Sequence, residues 1–408
     1  MIGTMRRPAV VAIVLAALAS SAATPHSQAA LPNYDRTLLL ETTSETSANV
    51  SIGDLDRDGH PDLILAKGRH WPLVDRVLIN DGHGRFPTAY NLGSASDRSY
   101  SGTLADLDGD GSLDVVISND TPDPKLVYLN DGKGHFRVGS TYGSPDWPMR
   151  NARVADLNGD GRPDIIAANR TGGRPGDSYV CLNRGKGIFD ADCLAFAHES
   201  ATTITPADFN HDGFIDLVVP NRDGGQSYIY LNDGTAHFPK RIPFGPADAT
   251  MRESEAADLN GDGRVDLVAI DEKKGAFIFF NQPDGTFSAG VPLGDPKIVP
   301  YALAVGDLNL DHKIDIVVGN VQAPSVAYFN DGTGRKFTPV SFGDNKGTVY
   351  GIAIGDIDED GRPDIAAARS EAPNVLYFGS AVVATANRST GSTAPVAPQS
   401  NPDTTSST

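Results

Sequence analysis

Seven aspartate-rich segments, each close to Asp-x-Asp/Asn-x-Asp-Gly-x-x-Asp, hold the residues of this chain best suited to chemistry. The first is Asp54, Asp56, Asp58, Gly59, Asp62 and the second Asp106, Asp108, Asp110, Gly111, Asp114. Then come Asp156, Asn158, Asp160, Gly161, Asp164; Asp208, Asn210, Asp212, Gly213, Asp216; and Asp258, Asn260, Asp262, Gly263, Asp266. The last two are Asp307, Asn309, Asp311, His312, Asp315 and Asp356, Asp358, Asp360, Gly361, Asp364. Oxygen-bearing side chains at alternate positions, followed by a glycine free to take positive φ, let a short loop curl until its carboxylates converge on one hard cation. With no sulfur or imidazole at the ligand positions, the pattern points to calcium rather than zinc. Up to seven structural Ca²⁺ ions are expected, with a weaker sixth site because His312 replaces the glycine.

The charge balance agrees. At positions one, three, five and nine the loops hold 24 aspartates of the 52 acidic residues, which leaves 28 acids against 34 Lys and Arg. The formal charge of −18 therefore comes from clustered carboxylates that repel one another without a counter-ion. Seven Ca²⁺ would bring it to about −4.

These loops need a repeating frame, because their first aspartates recur at spacings of 49 to 52 residues. Each loop lies between short apolar runs of strand length, such as Ala302 to Val305 and Ile316 to Val318. A third such run follows, as in Val127-Tyr128-Leu129-Asn130, and six of these enter a Gly-rich hairpin ending in an aromatic. Four strands per period predict an all-β, seven-bladed β-propeller with four-stranded blades over residues 33–380. The seventh period stops at Phe378-Gly379 without a fourth strand, while the chain opens with an orphan strand, Tyr34 to Glu41. The N-terminal strand is expected to close the ring as the outer strand of the last blade, removing two exposed edges.

Repeats such as Ala155-Asp156-Leu157-Asn158-Gly159-Asp160-Gly161-Arg162-Pro163-Asp164-Ile165-Ile166 resemble the FG-GAP/VCBS repeat family. That family includes integrin α propellers, calcium-binding propeller lectins and many bacterial surface proteins. The resemblance covers about residues 34 to 380 and implies the fold and calcium, but not a ligand. Gly319-Asn320 and Ala168-Asn169 stand where the integrin-type flanks would be, so an integrin-like partner is not implied and the bacterial secreted branch is favoured. The resemblance also implies that the calcium loops share one face, leaving the opposite face for ligands. Two rings of residues map there: Tyr100, Arg150, Thr202, Arg252, Tyr301, Tyr350, and Lys67, Asn119, Asn169, Asn221, Asp271, Asn320, Arg369. Aromatic faces, guanidinium forks and amides suit polar ligands such as sugars. Arg150, Asn169, Arg170, Asn221, Arg222 and Arg252, on blades three to five, are the chosen ligand-binding candidates. The alternative for any one of them is a turn cap or the rim of the core.

Arg6, Arg7, the apolar run Ala9 to Ala19 and the small residues before Ala29 have the layout of a signal peptide over 1–29. A secreted, periplasmic or cell-surface protein follows. That run is too short to span a bilayer, so no membrane-spanning segment is expected. In an oxidising compartment Cys181 and Cys193, flanking one hairpin, are expected to form a disulfide, with two buried thiols as the alternative. Residues 384–408, rich in Ser, Thr and Pro, are expected to be a disordered tail.

No His-Glu-x-x-His, Gly-x-Ser-x-Gly or P-loop is present, and among the histidines only His70 and His198 lie outside the calcium loops, the hairpin turns and the signal. The favoured reading is a non-enzymatic, monomeric extracellular binding protein, lectin-like or adhesive, for a glycan or protein ligand. The alternatives are a polysaccharide lyase or hydrolase, with Glu253, Glu255, Asp271 and Glu272 unclaimed, and a protein-interaction scaffold. An exported acidic chain without a basic stripe is not expected to bind nucleic acid.

Overall fold

The computed structural model describes residues 31–381. The signal expected over 1–29 and the tail expected over 384–408 lie outside the described residues. Among those described there is no helix, and the strands form seven four-stranded antiparallel sheets. Blade two is representative, with Ser99–Ala105, Asp114–Asn119, Lys125–Asn130 and Phe136–Tyr142 in order from the inside outward. The first strand of every blade touches those of both neighbours, and these contacts run round from blade seven to blade one.

The ring closes as the sequence predicts. Pro32–Leu39 pairs antiparallel with Val375–Ala381, placing Arg36 opposite Phe378 and Leu38 opposite Leu376. The closing strand runs two residues earlier than the apolar pattern suggests, although one further bond, from the Leu40 N–H to the Asn374 carbonyl at 2.9 Å, continues the pairing just past Leu39.

Apolar side chains fill seven layers, one between each pair of adjacent blades. Between blades two and three, Val116, Val127 and Tyr142 meet Ile165, Ala167 and Cys181, all buried. Second strands such as Asp164–Asn169 lie between two such layers and are buried at every residue, hence their continuous apolar runs. Outer strands such as Phe136–Tyr142 face solvent and are mixed.

A side-chain clasp joins most blades. Asn330, ending the third strand of blade six, donates from Nδ2 to the Leu259 carbonyl of blade five at 2.7 Å and to its own Ile314 carbonyl at 3.0 Å. Asn80, Asn130, Asn183, Asn232 and Asn281 likewise reach back to the preceding blade. Blade seven has Gly379 at this position, and a Cβ there would lie 2.4 Å from the Pro363 carbonyl. Cys181 and Cys193 form a disulfide spanning the outer hairpin of blade three.

Candidate functional site

The aspartate loops join first to second strands, so all seven lie at one end of the ring. Each winds around its first aspartate, whose Oδ2 accepts the N–H of the residue at loop position six, from Gly59 at 3.1 Å to Gly361 at 2.9 Å. Loop six keeps this bond through His312, at φ 65°. A second left-handed residue, at position four, escaped the sequence reading. It is Gly109, Gly159 or Gly261 in three loops but Arg57, His211, Leu310 or Glu359 in the rest. Where it is glycine, its N–H donates to the first aspartate's Oδ1 at 2.8 Å. In loops one, four and seven the Oδ1 atoms of Asp54, Asp208 and Asp356 are buried without any hydrogen-bond partner.

The last aspartate of each loop is fully buried, and its oxygens hold two strands together. Asp62 accepts the N–H groups of Leu55 and Asn80, both at 2.8 Å, and the other six copies repeat this. Burial pushes Asp62, Asp114, Asp164, Asp216 and Asp266 up to about 6 against the pull of those two donors. Carboxylate oxygens of Asp54, Asp56 and Asp58 lie within 4.8 Å of one another, as do those of Asp106, Asp108 and Asp114 and those of Asp356, Asp358 and Asp360. Orphaned buried oxygens and converging carboxylates fit a hard divalent cation best in loops one and seven. Chain cations also compete for these oxygens: Arg36 pairs with Asp358, Arg162 with Asp160 and Arg264 with Asp262.

At the opposite end of the ring the strand-one pairing slips at one residue in six blades, and the extra residue is Ala48, Tyr100, Arg150, Arg252, Tyr301 or Tyr350. Five of these are the ring residues that spacing alone picked out. A β-bulge re-aims side chains, and at Arg150-Asn151 and Arg252-Glu253 both the bulged residue and its successor line the channel. Tyr100, Arg150, Thr202, Arg252 and Tyr350 line its mouth, above a cavity of about 400 Å³ that also reaches Glu253, Arg153 and Glu255. In blade four the first strand is only Thr205–Ala207, so Thr202 precedes it.

Arginine and tyrosine interleave around the mouth. Guanidinium carbons lie over ring centroids at 3.5 Å for Arg69 on Tyr350, 4.6 Å for Arg150 on Tyr100 and 3.4 Å for Arg252 on Tyr301. Arg222 donates to the Tyr301 hydroxyl at 3.2 Å and to Thr202 Oγ1 at 3.3 Å. Burial works to raise the Tyr301 hydroxyl, yet Arg252 and Arg222 outweigh it and hold it below the ordinary tyrosine range.

Of the six candidates, Arg150, Arg222 and Arg252 come together here, with Arg170 beside them in a forked pair with Asp223. Asn169 is buried, and its amide donates to the Asp177 carbonyl at 2.8 Å within its own turn. Asn221 lies against Gly225 in the equivalent turn of blade four. Arg69 and Trp71, which the sequence reading passed over, follow the second strand of blade one at the same end. Their only signal was position, just beyond Lys67 in the outer ring.

A family model for the FG-GAP-like repeat matches residues 54–117, 106–167, 156–219, 208–269, 258–318 and 307–367, each from one aspartate loop into the next blade. The chain belongs to the FG-GAP-like repeat family. No curated protein sequence matches it. Among solved structures, the FG-GAP-like propeller is similar to the BP39L lectin from Burkholderia pseudomallei, with 14% identity, a TM-score of 0.62 and coverage of 83% of this chain and 97% of that one. It is also similar to BBS1N in complex with ARL6DN, with 10% identity, a TM-score of 0.59 and coverage of 86% and 97%. At these identities the FG-GAP-like chain shares the fold with both, and no more.

Proposed function

We propose that this protein is an exported, calcium-stabilised binding protein that takes a saccharide at the channel mouth and performs no chemistry on it. The observation that carries this reading is the bulge in five first strands that delivers Tyr and Arg side chains to one opening. Tyrosine faces pack on sugar C–H groups, and guanidinium forks meet hydroxyls and carboxylates. The lectin among the structural neighbours is compatible with such a role. Calcium would be held by the first, third and fifth side chains of each loop, best in loops one and seven, where it would neutralise the converging carboxylates and stiffen the turns. These loops stand at the end of the ring away from the mouth, so calcium acts here on stability rather than on ligand contact.

The test is a glycan array probed with the calcium-loaded protein and with an Arg150→Ala/Arg252→Ala variant checked for folding. Binding to a defined sugar set that the variant loses is the expected result; a blank array for the folded, calcium-loaded protein refutes the reading.

A polysaccharide-cleaving enzyme is the second reading, and Tyr301 favours it. A phenol held below its ordinary range between two guanidinia ionises more readily, and its phenolate can take up a proton beside a bound acid group. Viscosity and new reducing ends, followed over acidic polysaccharides, separate the two readings.

A further inference from the structure

We infer that the saccharide bound at the mouth is acidic, its carboxylate or sulfate group held by Arg69, Arg222 and Arg252. This rests on the reading of the mouth as a saccharide site. The opening is short of acid. Arg150 pairs with Asp120 at 2.6 Å and Arg170 with Asp223 at 2.7 Å. Arg222 and Arg252, however, share the one carboxylate of Glu272. Arg69 has no acidic partner within ion-pair distance among the described residues; its Nη1 donates to Ser370 Oγ at 2.9 Å. Five guanidinia thus face three carboxylates at the mouth of a chain whose net charge is −18. The local excess runs against the overall charge, as a site that gathers anions requires.

Neighbouring groups register the same field. Burial, then Arg69, Arg150 and Arg170, lower His70. Glu253, next to Arg252, is pushed up to about 8 by burial, so near neutral pH it keeps its proton and does not cancel the arginines. The Nε atoms of Arg69 and Arg222 are buried without partners, so both guanidinia hold fewer acceptors than they have donors. A neutral sugar leaves that excess uncompensated, whereas a carboxylate or sulfate meets a guanidinium fork with two charge-assisted bonds. The cavity of about 400 Å³ is of small-ligand size, and Trp71, 68% exposed after the same second strand as Arg69, offers a face for a sugar ring.

The experiment is calorimetric titration of the calcium-loaded protein, at fixed free calcium and two salt concentrations, with oligogalacturonate, a sulfated galactan oligosaccharide, a neutral galactan oligosaccharide and polyglutamate. Wild type is compared with Arg69→Gln and Arg222→Gln, each first shown to melt as wild type does. At least one acidic saccharide is expected to bind about tenfold or more tighter than the neutral one, to weaken with salt, and to lose about tenfold in each variant. Preference for the neutral oligosaccharide, or acidic binding that survives both variants, overturns the inference and leaves the saccharide reading standing. Binding of polyglutamate alone overturns it in favour of a peptide. If no probe binds the folded protein, inference and saccharide reading fall together.

Discussion

Arg252 holds Tyr301 by both ends: its guanidinium carbon lies 3.4 Å from the ring centroid, and its Nε donates to the Tyr301 carbonyl at 2.7 Å. With Arg252 only 5% exposed, the pair is a rigid part of the mouth rather than a surface contact. A lysine cannot make both interactions, so Arg252→Lys should destabilise the fold by about 1–2 kcal/mol. An ultraviolet titration of tyrosinate should show one tyrosine ionising below the ordinary range. That component should vanish in Tyr301→Phe and move upward in Arg252→Gln, which removes the charge; a wild-type curve without it would remove the electrostatic account of the mouth.

Asn330→Ala deletes the two bonds from its Nδ2 to the Leu259 and Ile314 carbonyls at the seam between blades five and six, and the two that its Oδ1 accepts from the Gly332 and Gly334 N–H groups. A loss of about 2–4 kcal/mol is expected, read from denaturant melts. Gly379→Asn, which would copy the clasp into blade seven, should destabilise instead, because its Cβ meets the Pro363 carbonyl.

Loop six holds two non-glycine residues in the left-handed region, Leu310 at φ 60° and His312 at φ 65°. Leu310→Gly and His312→Gly should each raise stability by about 0.5–1 kcal/mol, since relief of the left-handed strain exceeds the added chain entropy. Leu310 is 55% exposed, so little packing is lost there. Equal or lower melting temperatures for both variants would show that the loop carries no strain.

Burial pushes the folded-state pKa of Glu253 up to about 8 from an ordinary value of 4.5. The folded protein therefore binds the extra proton between these limits. The associated stability is complete below about pH 4.5 and drains away as pH rises through about 8. Glu253→Gln should flatten this slope, raising the melting temperature by several degrees at pH 8.5 while leaving it little changed at pH 5. An identical pH dependence in the two proteins would mean that Glu253 ionises normally in the channel.

Chelation should lower the melting temperature, because a cation bound only by the folded loops stabilises the fold by mass action. Asp54→Asn and Asp356→Asn, at the buried unpartnered oxygens, should shrink the difference between calcium-loaded and chelated melts more than Asp156→Asn does. A melt that does not respond to verified metal removal would separate these loops from metal binding.

Much of the architecture was legible because it repeats. Seven loops at near-constant spacing announced seven blades, and the missing fourth strand after Phe378 announced closure by the N-terminal strand. Such features follow from strand period and turn chemistry, which are local properties of the chain. The role of Asn80 and its five counterparts was not legible, since an asparagine ending a strand looks the same whether it caps its own turn, as Asn169 does, or reaches the preceding blade, as Asn330 does.

The sequence alone therefore determined the blade count, the ring closure, the positions of the carboxylates and part of the mouth. Only the tertiary structure decided what those residues do. Bulges in six first strands turn them inward, ring closure brings Arg69 of blade one onto Tyr350 of blade seven, and Arg222 and Arg252 converge from adjacent blades on one Glu272. The reason is physical: strand and turn preferences act over a few residues, whereas a charge balance depends on distances between groups that the ring alone brings together.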